Sequence, residues 1–353
     1  MLNGNTFEID LNGIKHNVNH IVKNYNYKYY IGVVKANAYG CGYEKVIETM
    51  ENAGINYFAV GNLDEALKVR KETKKGILIL TPVLKDTIKL CIKKDITVTV
   101  DSIEYLKSLE KPKNLKIHIK LNTGMNRFGT NDIDEIKEII KYSKENDIFV
   151  EGIYTHLYFA SNKKIVEDQI KEFNRIMKRI NYTFKIIHIM NSEGLLYYDK
   201  FRYTNAIRIG DLLYGLTYDE NYKSVFSLKT NIVELRKLSK GQTIGYDGAY
   251  TAEKDETIAI LPIGYADGLL KVNTGRYVYI NNKKYKIVGN ICMCNTFVKV
   301  TKNIKQTDTV YIIKDSKDVM DINKYLSTFI PTASSEITCN INELIPKKYK
   351  ELE

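Results

Sequence analysis

Eight short apolar runs, separated by longer polar stretches, constrain this chain more than any other feature of it. They are Tyr30–Val34, Tyr57–Val60, Gly76–Leu80, Ile96–Val100, Leu115–Leu121, Ile148–Tyr154, Phe184–Met190 and Ala206–Ile209. Their length and β-branched content read as buried strands. Between most of them lie segments with helical spacing, at 43–53, 63–73, 132–146 and 162–180. In 162–180 the apolar residues Ile165, Val166, Ile170, Phe173, Ile176 and Met177 recur close to the helical period, giving one face to bury. Strands that alternate with helices pair in parallel, because each crossover returns the chain to the same end of the sheet. Eight such units predict an α/β fold, a (β/α)8 barrel of the TIM type. The last two intervals are short, so their helices must be stubby.

The texture changes after about residue 222. Segments 229–236, 242–246, 257–262, 276–280, 284–289, 296–301 and 308–313 are short, β-rich and separated by Gly, Asn, Lys or Asp. One further helix is expected at 319–327. The expected organisation is a barrel over 12–222 and a mostly β C-terminal domain over 223–353, with a strand in 1–11 that can pair with the β domain. At 353 residues the chain has the length for both.

The net charge of +11 invites a nucleic-acid reading. The lysines, however, are scattered among acidic neighbours, as in Lys71-Glu72-Thr73-Lys74-Lys75, and no nucleic-acid motif accompanies them. A solvated basic surface that favours small anions, phosphate included, is the simpler reading. The five cysteines are odd in number and include no C-x-x-C pair, so reduced thiols and no metal site are expected. No run approaches the roughly 18 apolar residues of a membrane span, and the first residues carry no secretory pattern. The expectation is a cytoplasmic protein with neither membrane nor nucleic acid as partner.

In a barrel of this kind the chemistry sits at the C-terminal ends of the strands. Strand 1 runs into Val34-Lys35-Ala36-Asn37-Ala38-Tyr39-Gly40, which places an amine at the barrel mouth. A partly desolvated lysine there suits Schiff-base chemistry, because burial disfavours the ammonium form; the alternative is a solvent-facing strand-end lysine. Strand 5 adds Lys120 and Arg127, strand 6 His156, strand 7 Ser192 and strand 8 Arg208-Ile209-Gly210-Asp211. Ser192 and the amides of Gly210 and Asp211 stand where many barrels bind phosphate.

These residues also carry a resemblance. Val34-Lys35-Ala36-Asn37-Ala38-Tyr39-Gly40-Cys41-Gly42 resembles the pyridoxal-phosphate attachment segment of the alanine racemase family, with Cys41 in place of the usual His. Asn122-Thr123-Gly124-Met125-Asn126-Arg127-Phe128-Gly129 and Gly152-Ile153-Tyr154-Thr155-His156 are similar to barrel motifs of that family. Gly245-Tyr246-Asp247-Gly248, Pro262-Ile263-Gly264-Tyr265-Ala266-Asp267-Gly268 and Gly289-Asn290-Ile291-Cys292-Met293 are similar to motifs of its β domain. The resemblance covers nearly the whole chain, in order. It implies a pyridoxal 5'-phosphate enzyme interconverting L- and D-alanine as a homodimer with shared active sites, supplying D-amino acid for peptidoglycan.

By that resemblance Lys35 carries the cofactor and serves as one base, and Tyr246, supplied by a second subunit, is the other. Two bases are needed because inversion removes the α-proton on one face and returns a proton on the other. His156 is implied as partner of the tyrosine base, and Arg208 as partner of the pyridine nitrogen. A guanidinium only donates, so the ring nitrogen would stay unprotonated and side transamination would be suppressed. Tyr39, Ser192, Gly210 and Asp211 are implied to hold the phosphate, and Arg127 to stand beside the substrate carboxylate. Lys120 is implied as a carbamylation site orienting Arg127. Tyr265 and Met293 are implied at the substrate entrance and pocket, against the alternative of core packing.

Three departures accompany the resemblance. Cys294 stands in place of an Asp, Asp211 in place of an apolar residue, and Ser335 in place of the active-site tyrosine that crowds the alanine methyl group. Losing that ring enlarges the pocket, which makes serine or broader amino acid racemisation the alternative. An amino acid decarboxylase on the same plan, expected to have an acid at the pyridine nitrogen, and a cofactor carrier without the β domain fit less well.

Overall fold

The computed structural model describes residues 4–110 and 112–350; residues 1–3, 111 and 351–353, parts of the three predicted segments, lie outside the described residues. After an initial strand β1 (Thr6–Asp10), eight parallel strands close into a barrel. They are β2 (Tyr29–Val33), β3 (Tyr57–Val60), β4 (Gly76–Ile79), β5 (Thr97–Val100), β6 (Lys116–Lys120), β7 (Phe149–Tyr154), β8 (Ile186–His188) and β9 (Ala206–Ile209). Closure is made by β2 against β9, with Tyr29 opposite Ala206 and Gly32 opposite Ile209. Strands buried on both faces need near-continuous apolar runs, and Tyr-Phe-Ala-Val at Tyr57–Val60 is wholly buried.

Side-chain caps fix where several helices begin. Asn62, Ser102, Asp132, Asn162 and Asn191 each accept a hydrogen bond from a first-turn amide. Each such cap contributes about 1 kcal/mol. The helix predicted over 162–180 runs Lys163–Met177 and buries Val166, Phe173 and Ile176. Apolar side chains of that size contribute roughly 1.5–3 kcal/mol each when fully buried. The stubby helix expected before the last strand is Ser192–Leu195.

The chain divides into two compact units, one formed by Val18–Ala38 and Tyr43–Leu213, the other by the remainder. The second unit holds β10 (Phe226–Thr230), β11 (Glu234–Leu238), β12 (Thr243–Ile244), β13 (Tyr250–Thr251), β14 (Glu256–Leu261), β15 (Tyr277–Ile280), β16 (Lys283–Val288), β17 (Thr296–Val300), β18 (Val310–Ile313) and β19 (Lys347–Lys350). Nine strands form one sheet in the order β11-β14-β17-β16-β15-β18-β10-β1-β19, and β12 pairs with β13. Leu238, Ile244, Ala252, Ile258, Val288 and Phe297 make one of its cores.

The predicted single run 229–236 is two strands, because β10 pairs with β1 and β18 whereas β11 pairs with β14. Strand β19 was not predicted. Its Lys-Lys-Tyr-Lys sequence has no buried face, and its order comes from parallel backbone pairing with β1. Cys292 and Cys294 lie in the turn between β16 and β17. Among the described residues no group of His, Cys, Asp and Glu could hold a metal ion, and no helix is long and apolar enough to cross a membrane.

Candidate active site at the barrel mouth

Lys35 follows β2 directly and opens a run in which Ala36, Asn37, Ala38 and Tyr39 all have φ between 51° and 55°. Left-handed backbone costs roughly 1–2 kcal/mol per residue with a Cβ. Four in a row persist only where the surroundings dictate them, and such strain gathers at functional sites. Here the Glu65 carboxylate accepts from the amides of Ala36 (2.6 Å) and Gly61 (2.7 Å), while Tyr43 Oη accepts from Asn37 N at 3.1 Å. Glu65 was not singled out in the sequence; a carboxylate in the first turn of a helix reads as ordinary capping. The turn lifts Lys35 off the strand and leaves its side chain exposed. Of the two sequence alternatives, a covered amine and a solvent-facing strand-end lysine, the chain by itself has the second.

Arg208, on β9, is buried and is the best-anchored cation of the rim. Nη2 donates to the carbonyls of Thr155 (2.8 Å) and Ile189 (3.0 Å) and meets His156 Nδ1 at 3.2 Å; Nη1 meets His188 Nδ1 at 2.6 Å. Among the described residues nothing accepts from its Nε. Burial lowers the guanidinium to about 10, still far above neutrality, so it remains charged and a donor only. His156 Nδ1 must then accept, which places the imidazole proton on Nε2. Burial, with Arg208 and the other nearby cations, holds His156 neutral, well below the ordinary imidazole range. Lys35 is one of those cations, so it lies within electrostatic reach of His156.

Ser192 and the start of the turn after β9 also meet. Ser192 Oγ accepts from Gly210 N at 2.9 Å and from Leu212 N at 3.5 Å. This bond ties the strand-end turn after β9 to the start of the Ser192–Leu195 helix. Burial raises the Asp211 carboxyl, and the Lys35 charge opposes that rise, so the two groups lie within electrostatic reach of each other.

Lys120 ends β6 with only 4% of its surface exposed. Its Nζ donates to Leu121 O at 2.9 Å and stands 5.0 Å from the centre of the Tyr154 ring. Burial, Arg208 and Arg127 push it down to about 7, so an appreciable fraction is neutral amine near neutrality. Arg127 is exposed, on a loop built by Asn122 Oδ1, which accepts from the amides of Gly124 and Asn126.

Of the predicted residues, Lys35, Lys120, Arg127, His156, Ser192, Arg208, Gly210 and Asp211 belong to this barrel unit. Tyr39 belongs to the other unit, where it stacks on Tyr214 with ring centres 4.4 Å apart. Tyr246, Tyr265, Met293 and Ser335 also belong to that unit. Tyr265 N and Ala266 N donate to Cys292 O and Met293 O, so the Tyr265 and Met293 turns are sewn together. Asn290 Nδ2 donates to Tyr246 O at 3.3 Å. Tyr246 is 69% exposed, Met293 56% and Tyr265 37%, so none of the three is a core side chain. Ser335 lies in the first turn of the helix Ser334–Cys339.

Comparison with known proteins adds the following. The family profile "Alanine racemase, N-terminal domain" matches residues 9–218, and "Alanine racemase, C-terminal domain" matches 225–349. The chain is 35% identical over 329 residues to an alanine racemase of Fusobacterium nucleatum, covering 89% of this chain and 92% of that protein. It is 33% identical over 364 residues to one of Borreliella burgdorferi, covering 98% and 96%. The crystal structure of alanine racemase from E. faecalis superposes with a TM-score of 0.92 at 28% identity, covering 99% of both chains.

Proposed function

The chain belongs to the alanine racemase family, isomerases that work with pyridoxal phosphate, and on that premise we propose how its own residues perform the reaction. The observation that carries the proposal is the convergence on one rim of an exposed amine at Lys35, a buried guanidinium at Arg208 and the Ser192–Gly210 pair. These residues fit pyridoxal 5'-phosphate: a primary amine for its aldehyde, an Nε donor without a protein acceptor for its ring nitrogen, and a hydroxyl with amides for its phosphate. When bound, the cofactor supplies the electron sink that makes the α-proton of an amino acid removable.

Lys35 binds the cofactor and then moves a proton at the α-carbon on one face. Tyr246 of the partner subunit does so on the other, in a homodimer that shares its sites. Exposed Tyr246, Tyr265 and Met293 suit surfaces completed by a second chain. His156, protonated on Nε2, donates to the phenolate and stabilises it, while Arg208 holds the imidazole from behind. Arg208 would hold the ring nitrogen, and a guanidinium there, a donor only, would leave that nitrogen unprotonated and so disfavour transamination. Ser192 and the amides of Gly210 and Asp211 would hold the phosphate. Arg127 takes the substrate carboxylate. An acid at the place of Arg208, as the decarboxylase reading requires, is not present. Borohydride reduction of the protein mixed with pyridoxal phosphate should fix the cofactor on the peptide containing Lys35; label on any other lysine contradicts the assignment.

Lys120 is the carbamylation site. Its neutral amine attacks carbon dioxide, a nitrogen–carbon bond forms, one amine proton leaves, and a carbamate anion replaces a cation between Arg208 and Arg127. Native mass spectrometry should show one carbon dioxide added per chain, absent in Lys120→Ala. An unmodified wild-type mass in bicarbonate would overturn this.

A serine-accepting site is the second reading, favoured by Ser335, which by the resemblance stands in place of a tyrosine that would crowd the substrate side chain. Ser335→Tyr should lower the ratio of kcat/KM for serine to that for alanine by about tenfold, the scale set by filling or emptying a small pocket. An unchanged ratio would remove Ser335 from the specificity argument.

A further inference from the structure

Three of the chain's five histidines gather around Arg208, and two of them have no part in the reaction described above. His188 Nδ1 meets Arg208 Nη1 at 2.6 Å, and His188 Nε2 meets His118 Nδ1 at 2.9 Å. His118 Nε2 faces Glu151 Oε2 at 3.5 Å and has no hydrogen bond of ordinary length. Glu151 in turn accepts from Tyr57 Oη (2.8 Å), Thr97 Oγ1 (3.2 Å) and Lys185 Nζ (2.8 Å). His118, His188 and Glu151 are all buried, while Lys185 is half-exposed. A continuous polar chain thus crosses the barrel interior, from the rim to the side chain that precedes β8.

The chain has a direction. A guanidinium only donates, so His188 Nδ1 accepts, the ring is neutral, and its proton is on Nε2. That proton goes to His118 Nδ1, so His118 is neutral with its own proton on Nε2, aimed at the carboxylate. Burial acts the same way, holding His118 below and His188 well below the ordinary imidazole range. Burial alone would raise the Glu151 carboxyl, but the nearby His118 ring and the bonds from Lys185 and Tyr57 outweigh it and keep it ionised.

The backbone is shaped to admit this chain. Strand β7 carries a bulge where Ile117 pairs with Val150 and His118 with Gly152, so Glu151 is the extra residue. A Cβ at residue 152 would lie 2.7 Å from His118 Cε1, so only glycine leaves room for that ring. Tyr154 stacks on His188 with centres 4.6 Å apart and planes 3° from parallel, fixing its orientation. An apolar interior would have been simpler, and buried polar groups are costly unless every partner is present.

We propose that His188, His118 and Glu151 are positioning residues for Arg208: a one-way hydrogen-bond chain from Arg208 through His188 to His118, oriented by the Glu151 carboxylate 3.5 Å beyond, that always presents an acceptor to Nη1. The functional consequence rests on the reading of Arg208 as partner of the pyridine nitrogen. A guanidinium held in one place keeps that nitrogen unprotonated, and with it the preference for racemisation over transamination.

The test uses two variants of one residue in the full-length protein. His118→Asn keeps an acceptor near the Nδ1 position; His118→Leu keeps the bulk and removes the acceptor. Nitrogen NMR of the wild-type protein, with and without pyridoxal phosphate, should show His118 and His188 as neutral rings protonated on Nε2. The Arg208 Nη signals should be distinct in wild type and His118→Asn and merge through faster rotation in His118→Leu. With cofactor and L-alanine, His118→Leu should raise the ratio of pyruvate to D-alanine about tenfold, the scale of one unsatisfied buried donor, and His118→Asn should stay within about twofold. A purely packing role predicts the reverse order, Leu tolerated and Asn disruptive, and that order would overturn the proposal. So would a His188 ring protonated on Nδ1, or Arg208 signals unchanged in His118→Leu. If the wild type makes no D-alanine, the functional reading fails, and the spectra without cofactor still decide the relay.

Discussion

Lys35→Ala should leave the protein folded and reduce racemisation by about 10,000-fold or more. The chemical reason is double. The variant loses the amine that captures the cofactor, and it loses the base on one face of the α-carbon, a contribution of typically 100- to 10,000-fold by itself. The structural reason that folding survives is the exposure of Lys35: changes at exposed side chains usually shift stability by less than about 0.5 kcal/mol. The strained turn behind it is held by backbone donors to Glu65 and Tyr43, which the substitution does not touch. The measurements are initial rates with L- and D-alanine beside a thermal melt. A melt unchanged and a rate within tenfold of wild type would displace Lys35 from the chemistry.

Tyr246→Phe is the second large effect, a loss of about 100- to 10,000-fold in kcat with little change in stability. It deletes one oxygen from a side chain that is 69% exposed, so the cost to the fold is negligible. What is lost is the proton carrier on the face opposite Lys35. Mixing makes the effect diagnostic. If the sites are shared across a two-fold axis, Lys35→Ala and Tyr246→Phe chains that exchange subunits form heterodimers with one doubly defective site and one intact site. Random exchange makes half the dimers heterodimers, so about a quarter of wild-type activity should return. No recovery, with exchange verified by mass, would place both bases in one chain.

The barrel was legible because its signal is redundant. Eight apolar runs were each long enough to read, and the helix at Lys163–Met177 announced itself by spacing. The second unit was less legible where order comes from pairing alone: β19 has no apolar pattern, and the break between β10 and β11 follows from a change of partner. At the rim, the strand-end positions of Lys35, Lys120, His156, Ser192 and Arg208 followed from the barrel rule, and the fine geometry did not. A left-handed turn leaves no mark in Ala-Asn-Ala-Tyr, so the sequence leaves open whether Lys35 is covered or solvent-facing, and the structure has it exposed. His118, Glu151 and His188 lay inside runs read as core. The clue available was titratable residues in otherwise apolar strands, with His118 and Lys120 two apart and hence on one face.

The most direct measurement is a chiral assay of the purified protein with added pyridoxal phosphate, offered L-alanine and L-serine separately. The account predicts D-alanine from L-alanine, the reverse reaction from D-alanine, and convergence on equal amounts of both. D-serine formation beside it would support the enlarged pocket at Ser335. A cofactor-loaded protein that leaves both amino acids in the L form, or releases carbon dioxide from them, would contradict it.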